Sequence, residues 1–162
     1  MSKIQKLNNR TLALGIKHLK KVDSDFKEIL RDRNDQINSF KKKGGFEGLI
    51  SLIVEQQLSV ASAKAIFSRV KIVCGDFEAS SFLKIKEDEL KATGLSRQKV
   101  TYCRNVAKAV INKTLDFKKL EKMSDQEVVE ILIKIKGIGE WTAQCYLMAC
   151  MKRLDAWPSS DL

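Results

Sequence analysis

The sequence is poor in punctuation. It has one proline and eight glycines in 162 residues, and runs of strict apolar–polar alternation are scarce. Neither a strand-rich sandwich nor a loop-rich fold is expected from such a chain. There is one histidine, His18, flanked by lysines. A site built from several histidines is therefore excluded, and the position reads as surface. Cys74, Cys103, Cys145 and Cys150 form no C-x-x-C pair, so metal or cluster ligation is not expected and reduced core thiols are. No metal or cofactor is implied. No stretch reaches the ~18 consecutive apolar residues of a membrane span. The opening "MSKIQKLNNR" lacks the apolar core of a signal peptide. The expectation is a cytoplasmic protein with no membrane partner.

What is present is apolar material and positive charge. At 44% hydrophobic the chain can bury a core, and its length suits one domain, residues 1–162. With strands disfavoured, the fold class expected is all-α. The formal net charge is +10, which points first to nucleic acid as partner. A lysine-rich surface with no partner is the alternative.

The spacing predicts helices over residues 9–21 and 24–31. Lys41, Lys42 and Lys43, followed by Gly44 and Gly45, read as a solvated basic turn. Phe46, Leu49, Ile50 and Ile53 fall at i, i+3, i+4 and i+7, one face of a buried helix. It ends at "EQQLS". Ser59 suits the N-cap of the next helix, with Val60, Ala63, Phe67 and Val70 inward and Gly75 as the stop. A short helix over residues 87–92 closes at Gly94. Ser96 opens another, with Val100, Cys103, Ala107 and Val110 along one side. Ser124 and Glu127 form a capping box for a helix carrying Val128, Ile131, Leu132 and Ile135. After Gly137-Ile138-Gly139 comes a helix apolar nearly all round, which belongs at a domain centre.

The pair Gly137 and Gly139 reads as a tight hairpin between helices, spanning about residues 124–152. Glycine permits positive φ and close backbone approach. It also bares N–H groups at a helix start, where they and the helix dipole make a seat for a phosphate. Lys134 and Lys136 add positive charge, and Thr142 could offer its hydroxyl. A purely structural turn would use the same glycines.

Several ordered segments resemble one family. "IKIKGIGEWTAQ" is similar to the helix-hairpin-helix signature of the DNA glycosylase superfamily. "SLIVEQQLSVASAKAIFSRV" resembles that superfamily's earlier buried helix pair, "GLSRQKVTYCRNVAKAV" its middle helix, and "LDAWPSSDL" the segment that carries its catalytic aspartate. The similarity is greatest to the alkylpurine branch, the 3-methyladenine DNA glycosylase II type, and runs from about residue 10 to residue 162.

The resemblance implies a helix-hairpin-helix glycosylase fold, apparently truncated just after the catalytic aspartate, with the family's C-terminal helices absent. It implies a monomer acting on double-stranded DNA containing damaged bases. Asp161, about twenty residues beyond Trp141, takes the catalytic position. It could equally cap a helix. Asp155 matches no catalytic position. Trp141 stands where bifunctional relatives place a Schiff-base lysine, so a monofunctional enzyme is implied. Its indole suits a cationic base, and core packing is the competing account. Cys145 and Tyr146 fall where relatives place a base-pocket aromatic. Gln57 is the candidate to fill the gap left by a flipped base, with Gln56 and Leu58 beside it. Hydrogen bonding at a buried helix end would explain the glutamines as well. Alkylated bases of the 3-methyladenine and 7-methylguanine type are the implied substrates. An oxidised or deaminated base, or a DNA-binding module without catalysis, are the alternatives.

Overall fold

The computed structural model describes residues 4–32 and 41–159. Among them every regular element is helical. They are α1 (Asn9–Val22), α2 (Ser24–Asp32), α3 (Gly45–Glu55), α4 (Val60–Cys74), α5 (Ala79–Lys84), α6 (Glu87–Ala92), α7 (Arg97–Ile111), α8 (Phe117–Leu120), α9 (Asp125–Leu132) and α10 (Glu140–Cys145). A π-helical turn, Tyr146–Cys150, continues α10.

Local chemistry sets most of these boundaries. Asn8 starts α1 through a reciprocal capping box with Thr11. Ser59, Ser96 and Ser124 start α4, α7 and α9, each accepting a first-turn backbone N–H. Such caps stabilise by about 1 kcal/mol each. At Ser124 the Glu127 carboxylate returns to the Ser124 N–H at 2.8 Å, completing the expected box. α4 stops at Gly75, whose φ is +62°.

α3 is the central element: eight of its eleven residues are buried, so it needs neighbours on every side. It packs on α4, α7, α10 and the π-helical turn. Phe46, Phe77 and Phe82 join its first turn to α5 through tilted and edge-on ring contacts 5.9–6.4 Å apart. Burial of each such large apolar side chain contributes ~1.5–3 kcal/mol. On α7, Val100, Cys103 and Ala107 are buried as expected, and Val110 is partly buried.

The structure corrects three expectations and refines a fourth. Val60 does not point inward; it is 86% exposed. It is the first residue of α4, where the helix overhangs the core, and Ala63 and Val70 carry the buried face instead. The helix opened by Ser124 does not reach Ile135. It ends at Leu132, and successive turns, Ile135 N–H to Leu132 and Ile138 N–H to Ile135 carbonyls, both 3.0 Å, lead to the hairpin. The apolar helix after the hairpin is buried at the centre as expected, and its last turn is π-helical: Met151 N–H reaches back five residues to Tyr146 at 3.0 Å. Lys42 is not solvated. Its ammonium folds onto α3, donating to Ser51 Oγ at 3.2 Å and pairing with Glu55.

Candidate nucleic-acid interface and active site

The hairpin occupies residues 133–139, between α9 and α10. Its two glycines do different work. Gly137 has φ +110°, and a β-carbon there would lie 2.2 Å from Cγ of Tyr102. Gly139 is extended, with φ −90° and ψ 174°, a conformation any residue adopts, and nothing lies within 4 Å of its missing side chain. The turn therefore requires glycine at Gly137 alone. Gly139 is the N-cap of α10, and no side chain caps the first-turn N–H groups of that helix. Glu140, the acid of that turn, is drawn along the helix to Gln144 Nε2 at 3.4 Å.

Two side chains bolt this hairpin down, and a third braces the loop behind it. Gln56 donates its amide to Gly137 O at 3.2 Å and to Thr142 Oγ1 at 3.0 Å. Asn105 on α7 donates to Lys136 O at 3.1 Å. Lys99, nearly two turns earlier on the same helix, donates to Val54 O and Gln56 O, each at 2.7 Å, and so satisfies the open carbonyl end of α3. Burial lowers the pKa of this ammonium. The loop after α3 and the hairpin thus become one rigid surface.

The glutamines divide. Gln56 does the helix-end bonding that was the competing account, while Gln57 is exposed with φ +55°, an uncommon backbone for a side-chain-bearing residue. Leu58, 39% exposed, follows it. Thr142 is 3% exposed and bound by Gln56. Its hydroxyl is turned into the fold and is not presented to a surface phosphate as expected. Lys134 and Lys136 are exposed beside the turn.

Trp141 is partly buried and packs against the core. Its indole N–H is shielded from water and has no acceptor; Gln144 Oε1, one turn on, is shielded with no donor. Cys145 is buried among the core residues. Tyr146, expected in a base pocket, is 2% exposed. Its hydroxyl accepts from Gly45 N–H at 2.9 Å and its ring lies 6.0 Å from Phe117. Burial raises its pKa. It serves as a tie between the π-helical turn and α3. Burial also pushes the Cys103 and Cys150 thiols up to about 12, so neither is a nucleophile at neutral pH.

Asp161 lies outside the described residues. The segment leading toward it is held by Arg153, a buried guanidinium that donates to Met123 O at 2.9 Å and pairs with Asp125 at 3.3 Å. Leu7 N–H donates to Lys152 O at 2.7 Å, laying the N-terminal strand of chain beside it. Among the described residues, no group of three or more His, Cys, Asp or Glu side chains is placed to hold a metal ion, and no helix is long and apolar enough to cross a membrane.

The family model described as "HhH-GPD superfamily base excision DNA repair protein" matches residues 50–161. The chain belongs to this superfamily. It is 33% identical over 151 residues to DNA-3-methyladenine glycosylase 1 of Schizosaccharomyces pombe, a match covering 90% of this chain and 66% of that protein. It is 34% identical over 131 residues to the DNA-3-methyladenine glycosylase of Saccharomyces cerevisiae, covering 72% of this chain and 43% of the relative. The structure of the S. pombe 3-methyladenine DNA glycosylase in complex with abasic DNA superposes with a TM-score of 0.81 at 30% identity, covering 91% of this chain and 74% of that one. The chain thus spans about two thirds of the first relative's length and under half of the second's.

Of the three side chains that hold the hairpin and its neighbouring loop, sequence reasoning named Gln56 but neither Lys99 nor Asn105. Lys99, Tyr102 and Asn105 recur every three residues along α7, and that polar stripe was the available signal. It went unread beside the apolar stripe of the same helix.

Proposed function

We propose that this chain is a monofunctional DNA glycosylase of base excision repair that hydrolyses the N-glycosidic bond of alkylated bases in duplex DNA. The observation that carries the reading is the rigid pairing of the hairpin with the Gln56–Leu58 loop, with the half-buried indole of Trp141 just beyond the turn. One surface holds a DNA backbone at the open N–H groups of the hairpin. The other presents Gln57 and Leu58 to the gap that a flipped base leaves. The names of the relatives at 33% and 34% identity support the alkylated base as substrate.

The chemistry asks little of the protein. A base alkylated on a ring nitrogen is already cationic and departs without a strong acid. The remaining task is to stabilise positive charge on the sugar as the bond breaks, which one carboxylate performs electrostatically. Asp161 is assigned that role. Trp141 offers a π face to the cationic base. No amine stands at its position, so hydrolysis needs no covalent imine. The protein acts on double-stranded DNA as a monomer.

Release of free base from methylated duplex DNA tests this. Release of 3-methyladenine or 7-methylguanine without strand scission is expected. Duplex binding with no base release would leave a DNA-binding module, and release confined to oxidised or deaminated bases would overturn the substrate class.

A further inference from the structure

We propose that the groove between α7 and the hairpin is a second seat for the DNA backbone, running on from the hairpin toward the C-terminal end of α7. This rests on the reading of the chain as a duplex-binding protein, and it extends the contact surface beyond the hairpin.

The groove has a volume of about 540 Å³. Lys134 and Lys136 form one wall and Lys108, with Asn105 and Asn112, the other; Thr114 closes one end. Its floor is apolar, and no carboxylate lines it. Lys108, Lys134 and Lys136 are exposed, and none makes an ion pair among the described residues. Five other lysines sit against carboxylates, Lys6 on Glu121, Lys42 on Glu55, Lys43 and Lys71 on Glu47, and Lys91 on Asp88; what sets the groove apart is three lysines on one trough with no carboxylate in its lining. Three uncompensated ammonium groups facing one trough repel one another unless a polyanion fills it. Lys108 also lies in the last turn of α7, where it offsets the negative helix end, but Lys134 and Lys136 have no such task.

The walls are fixed relative to the hairpin. Asn105 holds the Lys136 carbonyl, and Tyr102 lies against Gly137. A strand seated on the N–H groups beyond Gly137 therefore has a defined path into the groove. At ~1.5 Å per residue, Asn105 to Asn112 covers about 10 Å, room for a short stretch of one strand's backbone. The side-chain amides and hydroxyl available there suit phosphate oxygens and carry no sequence preference.

The test is the salt dependence of binding to a lesion-free duplex, between about 50 and 200 mM salt. Lys108→Gln should reduce the slope of log affinity against log salt by about 0.9 and weaken binding about fivefold near 0.15 M. Lys17→Gln on α1 removes the same charge and should change neither. Equal losses in both variants would mean a net-charge effect and overturn the proposal, as would an unchanged slope for Lys108→Gln. Loss of poly-glutamate binding by Lys108→Gln with an unaltered DNA slope would assign the groove to an acidic protein and also overturn it. If Gly139→Ala weakens duplex binding while Lys108→Gln does not, the hairpin reading stands and the groove proposal falls. A chain that binds no duplex at all removes both.

Discussion

Gly137 lies so close to Tyr102 that a single added methyl group would sit 2.2 Å from the ring. The contact is what closes the hairpin on α7. A β-carbon at Gly139, two residues on, would meet nothing within 4 Å, so the fold itself does not require glycine there.

The two glycines should therefore separate folding from binding. Gly137→Ala combines positive φ with a ring clash and should cost about 3 kcal/mol or more of stability. Gly139→Ala keeps an ordinary backbone and should cost no more than about 1 kcal/mol, the difference between glycine and alanine at an N-cap. Its duplex affinity should fall roughly tenfold, the worth of one charge-assisted hydrogen bond at ~1.5 kcal/mol, with lesion preference retained. Urea denaturation and duplex titration of both variants check this. A Gly139→Ala protein of unchanged affinity would make the hairpin merely structural.

Acid should act through Glu47. Burial alone would raise its pKa, but the Lys43 and Lys71 ammonium groups, at 2.5 and 2.7 Å, hold it below the ordinary 4.5. A carboxyl depressed in the folded state binds its proton more readily when unfolded. Its contribution to stability is therefore complete above the unfolded value and is lost as pH falls through the folded one. Glu47→Gln should be less stable than the parent at pH 7, and the gap should close as pH falls below the folded-state value. Thermal unfolding across that range measures it, and a gap independent of pH would mean that packing of the side chain, and not its charge, is what matters.

The helical class and the caps at Ser59, Ser96 and Ser124 were legible because each rests on a short-range rule. The hairpin was legible from Gly137 and Gly139, though not which glycine the turn needs. That depends on Tyr102, thirty-five residues away, and nothing local announces it. Gln56 shows the same limit. Its type suited either a helix end or a DNA contact, and only the placement of Gly137 O and Thr142 Oγ1 beside its amide decided the matter. Helices α5 and α8 have six and four residues, too few turns for an apolar period to show, and neither is closed by a glycine as the equally short α6 is by Gly94. The π-helical turn was hidden because a helix buried on all sides has no face whose drift could betray an extra residue.

Asp161→Asn should abolish base release and leave duplex binding nearly intact, because the substitution keeps shape and removes only charge. The loss should appear in the single-turnover chemical step. Borohydride treatment of the unaltered protein with damaged DNA should trap no covalent adduct if, as proposed, Trp141 takes the position of a Schiff-base lysine. Parental turnover by the variant would refute the assignment of Asp161, and a trapped adduct would refute the monofunctional mechanism.

Trp141→Leu addresses how the base is read. The indole N–H has no partner in the fold, so its removal orphans no acceptor, and leucine keeps much of the apolar contact with the core. What is lost is the π face. A cation–π interaction is worth ~0.5–2 kcal/mol, so single-turnover excision of cationic 3-methyladenine or 7-methylguanine should slow roughly 2- to 30-fold. Excision of a neutral base such as hypoxanthine, where it occurs, should slow less, because stacking on a neutral ring depends less on the indole quadrupole. The ratio of the two slowdowns is the quantity to measure, after circular dichroism has established that the variant is helical. Equal slowing of both classes would mean that Trp141 shapes the pocket through its volume, and recognition of charge would then fall to the Asp161 carboxylate alone.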